Sequence, residues 1–131
     1  MKDDLNERIL VILRTNARAS WAEIGSEVHL TGQAVAQRVK AMENTGQISG
    51  YTLREDQVSR YFVTMLMSSS DFVGFESTLQ DRSWVEAAYK TAGDACYELV
   101  VRCEASELDQ HLEELLLFGR YKVSNVLRRV K

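Results

Sequence analysis

The sequence predicts an α+β fold: an N-terminal winged helix-turn-helix followed by a ferredoxin-like βαββαβ domain. Three observations predict it. Apolar residues recur at helical spacing in three short early segments. The composition turns polar at residues 54–60, REDQVSR. Beyond that stretch, strand-like runs alternate with helical ones in the order βαββαβ.

The first helix spans residues 4–15, with Leu5, Ile9, Ile12 and Leu13 on one stripe. Ser20 precedes Trp21, with Glu23 three positions on, which is a capping box opening the second helix. Its apolar stripe is Ile24 and Val28, and Gly25 inside it suits a helix crossed closely by another. His29 and Leu30 form a turn, and Thr31 caps the third helix, where Val35, Val39 and Met42 share a face. Gly46 ends that helix, and residues 48–53 read as a short extended piece, the start of a small hairpin.

Domain boundaries follow from this pattern: residues 1–53 for the helical domain, 54–60 for a linker and 61–131 for the second domain. There, residues 61–67 form a strand and Asp71 opens a helix striped by Phe72, Phe75 and Leu79. Residues 84–91 and 95–103 are strands joined by a turn at Gly93-Asp94. Ser106 caps a helix striped by Leu108, Leu112, Leu115 and Leu116, and residues 121–130 make the last strand. Two helices cover one face of such a sheet, and the other face needs a cover from outside the domain, commonly a second copy.

Composition limits the function classes. No apolar run approaches the roughly 18 residues of a membrane span, and the acidic, amphipathic N-terminus is no signal peptide, so a cytoplasmic protein with no membrane partner is expected. Cys96 and Cys103, placed on one strand, would lie roughly 23 Å apart at about 3.3 Å per residue. They cannot bridge, and they read as buried structural thiols. With two histidines distant in sequence they make no metal-ligand pattern, and no cofactor is expected. The net charge of -3 gives no electrostatic signal for nucleic acid. Any DNA contact must come from where the charges sit. The third helix supplies such a place, because its polar side carries amides and Lys40 but no acid over its first three turns. A solvated helix face in a protein-binding winged helix has the same appearance.

These residues carry a resemblance. Leu5 and Ile9, Asn16-Ala17-Arg18, Ile24-Gly25, Thr31, Arg38-Val39 and Gly46-Gln47-Ile48 resemble the DNA-binding half of the Lrp/AsnC, or feast/famine, transcription regulators. KTAGDACYELVVRCEAS resembles the family's effector-sensing and assembly domain, most of all in the leucine-responsive-type branch of bacilli. The resemblance covers residues 4–130. It implies a bacterial, nucleoid-associated regulator that binds short, loosely palindromic double-stranded DNA. It implies a homodimer, assembling further into tetramers or octamers, and an amino acid or related metabolite bound between dimers.

Carried onto this chain, the DNA-contacting positions are Thr31, Gln33, Ala34, Gln37, Arg38 and Lys40, with Arg18 and Arg54 on the flanks. Thr31 suits a phosphate at a helix N-terminus. Gln33 and Gln37 suit adenine, Ala34 a thymine methyl, and Arg38 a guanine or phosphate. The effector positions are Gly93, Asp94, Ala95, Cys96 and Ser124. Here Cys96 replaces the family's second acid, and Ser124 and Val126 stand where the last strand often has threonines. Both changes remove polar groups that hold a zwitterion. Two rivals remain: an architectural DNA-wrapping protein with weak sequence preference, and a tetrapyrrole-acting enzyme of related fold. The second needs histidines, yet His29 and His111 lie far apart and no catalytic constellation is legible.

Overall fold

The protein is described from a computed structural model covering residues 3–131. It divides into two compact units between Arg54 and Glu55.

The first unit is helical: α1 (Asp4–Thr15), α2 (Trp21–Val28) and α3 (Gly32–Asn44). Each starts on a side-chain cap that satisfies an otherwise orphaned N–H. Asp3 accepts from the Leu5 and Asn6 amides, Ser20 from Glu23, and Thr31 from Ala34. The apolar stripes meet in one core of Ile9, Leu13, Ile24, Val28, Val35, Val39 and Met42. Gly25 lies under the α2–α3 turn. A Cβ there would come within 2.3 Å of the Leu30 carbonyl oxygen, so the turn, not the body of α3, makes the close crossing. His29, in the left-handed region at φ 61, reverses the chain after α2.

The expected wing hairpin does not form. Residues 48–53 carry no strand, although the Ile48 amide still bonds back to the Met42 carbonyl. The chain bends at Gln47 and Ile48 instead, and no second strand follows to pair with the segment. Tyr51 instead lies against Glu43 of α3. Partial burial first, and the Glu43 carboxylate second, hold the Tyr51 pKa above the ordinary phenol value.

The second unit is β1 (Arg60–Met67), α4 (Phe72–Gln80), β2 (Val85–Lys90), β3 (Tyr97–Arg102), α5 (Ala105–Leu115) and β4 (Gly119–Asn125). The sheet is antiparallel in the order β2-β3-β1-β4. Tyr61, Val63 and Met65 of β1 and Tyr97, Leu99 and Val101 of β3 are buried with Phe75, Leu79, Leu112 and Leu115 of the helices. The Tyr97 hydroxyl donates to Glu76 at 2.6 Å, and burial first, then this carboxylate, pushes its pKa up to about 12. On the opposite face Phe62 is 50% exposed and Tyr89 61% exposed.

Several boundaries differ from the sequence expectation, three of them with a physical reason. Glu104, not Ser106, occupies the cap of α5, and no side-chain cap bond forms there. Strand β4 ends at Asn125, because only the Val126 amide continues the ladder, to the Arg60 carbonyl. Strand β3 excludes both cysteines, which flank it, half-buried against the core and free. Burial first, then Glu107 and Glu104, raises the Cys103 thiol pKa.

Gly25→Val should destabilise the helical unit by about 1–3 kcal/mol, the usual cost of forcing bulk into a packed crossing. Denaturant unfolding followed by helical circular dichroism would measure it, and an unchanged midpoint would contradict the close contact.

Candidate nucleic-acid interface

Helix α3 turns two unlike sides outward and inward. Val35, Val39 and Met42 are buried at i, i+4 and i+7. Gln33, Gln37, Lys40 and Asn44 are exposed at the same spacing on the other side, and Thr31 is exposed at its start. Ala34 is half-buried on the flank. The Thr31 hydroxyl accepts the Ala34 amide at 3.1 Å, which leaves its own proton free to donate. The Gly32 and Gln33 amides at this helix start have no intrahelical acceptor, the arrangement that attracts a phosphate. No acid lies in the first turn.

Arg38 is not part of this open stripe. Its guanidinium donates to Asp3 Oδ2 at 2.8 Å and to Asn6 Oδ1 at 3.2 Å, so it holds α3 to the start of α1. The same guanidinium, followed by the Asn6 amide, keeps the Asp3 carboxyl below its ordinary value of 3.8. In the free chain Arg38 is therefore engaged by α1 and its cap rather than standing free on the open stripe. A base on a helix flank looks the same in sequence whether it meets DNA or a carboxylate 35 residues away.

Arg18 is exposed in the α1–α2 turn and Arg54 is exposed at the unit boundary. One position escaped the sequence reading. Trp21, 42% exposed, opens α2 beside the start of α3, where a Cβ on Gly32 would lie 3.2 Å from the Ala22 nitrogen. Its position just after the Ser20 cap was the available signal. Asn44 extends the amide stripe by one more turn.

The effector positions separate. Gly93, Asp94, Ala95 and Cys96 share one tight turn, closed by the Thr91 hydroxyl on the Ala95 carbonyl at 3.1 Å and by the Thr91 amide on the Cys96 carbonyl at 2.9 Å. Gly93 sits at φ 128 and Asp94 is exposed. Ser124 pairs with Phe62, whereas Cys96 bonds at Met65. Three residues along a strand is about 10 Å, and β1 lies between the two. One chain does not gather these residues into one site.

A helix-turn-helix with a polar, acid-free outer stripe, joined to an open-faced ferredoxin-like unit, defines a DNA-binding regulator. Residues 3–43 match the AsnC-type helix-turn-helix domain. Among curated proteins, the chain is 36% identical to the HTH-type transcriptional regulator LrpB of Bacillus subtilis, covering 98% of this chain and 91% of that protein. It is 33% identical to LrpA of the same organism over 97% and 98%. Among solved structures, Bacillus subtilis LrpC superposes with a TM-score of 0.85 at 26% identity, over 100% of this chain and 99% of that one. The chain belongs to the Lrp/AsnC family of transcription regulators. It is a DNA-binding regulator and not an enzyme, as are the curated relatives. No helix of the described residues is long and apolar enough to cross a membrane.

The Asp3–Arg38 link has a pH signature. A carboxyl with a lowered folded pKa contributes stability in full above its ordinary value and loses it as pH falls below 3.8. Arg38→Ala should lower the melting temperature of the helical unit at neutral pH, and the gap to the parent should narrow on acidification below pH 3.8. Melting curves across that range check it, and a gap that stays constant would contradict the link.

Proposed function

We propose that this regulator reads duplex DNA with the open stripe of α3. Gln33 and Gln37 address base edges, Ala34 permits close approach, and Thr31 and Lys40 hold phosphates. Arg18 and Arg54 add flanking phosphate contacts, and Arg38 positions the helix from its flank. The supporting observation is the exposure of Thr31, Gln33, Gln37 and Lys40 on one acid-free side of a helix whose other side is fixed in the core.

The functional unit is a homodimer formed through the uncovered sheet face, with dimers associating further. Two α3 helices then meet successive major grooves about one turn apart. The half-exposed aromatic side chains on that face support this reading. The 93–96 turn is the place where an amino acid or related metabolite bears on assembly. With Cys96 and Val126 in place of polar groups, the ligand favoured here is less polar than a family-typical zwitterion. The bacterial nucleoid is the setting this activity requires.

Gln37→Ala should cost about 1–3 kcal/mol against the cognate site and relax specificity there, the worth of one bidentate base contact. Lys40→Ala should weaken specific and bulk DNA alike and flatten the salt dependence by about one counterion. Titrations of operator fragments against bulk competitor at several salt concentrations read both. Equal loss on all sequences for Gln37→Ala would favour the architectural role.

A further inference from the structure

One row of side chains crosses the uncovered sheet face on all four strands. The strand register sets Tyr89 beside Glu98, Glu98 beside Thr64, and Thr64 beside Lys122. Glu98 is half-buried, and its carboxylate accepts from the Thr64 hydroxyl at 2.8 and 3.0 Å, so it is held in place rather than free to follow solvent. Lys122 is exposed. Among the described residues, neither Glu98 nor Lys122 has an ion-pair partner. They flank β1 symmetrically, each about 4.8 Å to one side of it. The adjacent row is Ala87, Val100, Phe62 and Ser124, with the ring of Phe62 half out in solvent.

Covering this face strips water from the Glu98 carboxylate, and one neutral hydroxyl does not repay that loss. A cation must arrive with the cover. When the cover is a second copy, the two-fold axis lies between the sheets, and symmetry leaves few choices. An axis running along the row sets Glu98 against the partner's Glu98 and Lys122 against the partner's Lys122, like against like. An axis running along β1 reverses the row and sets Glu98 opposite the partner's Lys122, twice. It also brings Phe62 onto the partner's Phe62, where aromatic rings add to the area they bury. Arg60 approaches its own copy along the same axis, but Glu86 already neutralises it, with Nε 2.7 Å from the carboxylate. Like-charge contact is the stronger discriminator between otherwise similar packings.

We propose that Glu98 and Lys122 set the register of the homodimer: its two-fold axis runs along β1, and each Glu98 pairs with the partner's Lys122. The proposal rests on the sheet-face dimer proposed above, and its test separates the two. The full chain and four variants are compared by sedimentation equilibrium at matched concentrations. Glu98→Lys and Lys122→Glu should each raise the dimer dissociation constant about tenfold or more, and the double variant should return to near the parent value. Phe62→Asp should dissociate the dimer outright. Loss of dimer in Phe62→Asp with single swaps that change nothing would overturn the pairing and leave the sheet-face dimer standing. Single swaps that weaken the dimer without rescue in the double variant would also overturn the pairing. A parent chain that stays monomeric, or a Phe62→Asp variant that stays dimeric, would overturn the sheet-face dimer and the pairing with it.

Discussion

The open side of α3 depends on one close backbone approach. The Leu30 carbonyl lies where a Cβ at Gly25 would be. That approach lets the turn after α2 fold down tightly, and the tight turn fixes how α3 lies on the core. Once Val35, Val39 and Met42 are inside, helical geometry leaves Gln33, Gln37 and Lys40 outside. Arg38 completes the arrangement from the flank, where its bonds to Asp3 and Asn6 tie the third helix to the first. A glycine and a buried-side stripe therefore determine which side chains α3 offers to solvent.

The second unit solves a different problem. A four-stranded sheet with both helices on one side buries the alternate residues of β1 and β3 and exposes the rest. Its open face mixes Phe62 and Tyr89 with fixed charges, which is neither a normal solvent face nor a featureless apolar one. Apolar area alone would favour cover without choosing an orientation. Charges placed in a row choose one, because in a symmetric pair each residue's position determines what it meets.

Much of this was legible in the sequence where local chemistry decides the outcome. Ser20, Thr31 and Asp71 cap helices because a short side chain can reach an amide three residues on. Glu104 makes no such bond, so α5 begins without a local mark and Ser106 misleads. The hairpin failed because an extended segment becomes a strand only with a partner, and nothing in residues 48–53 names one. The Arg38 contact is illegible for a related reason: its partner Asp3 caps another helix. The effector positions came from resemblance, and a likeness between chains does not say whether one chain or several assemble a site.

Net charge was the least useful quantity, and the structure explains why. In the second unit Arg60 is held by Glu86, Arg82 by Glu114 and Arg102 by Glu55. Each such pair cancels in the formal total and projects little field beyond a Debye length of about 10 Å, so what a phosphate meets is set by the unpaired charges. The helical unit commits Arg38 to Asp3 and Arg14 to Glu7, and among its described residues Arg8, Arg18, Lys40 and Arg54 keep no ion-pair partner. Each copy should then bind DNA only modestly through electrostatics. Occupancy at a promoter must come from several modest contacts made at once, which joining copies supplies by raising the local concentration of the second α3. On the proposed sheet-face dimer, assembly and recognition become one energetic problem, and a change that weakens that interface is expected to weaken DNA binding without touching α3.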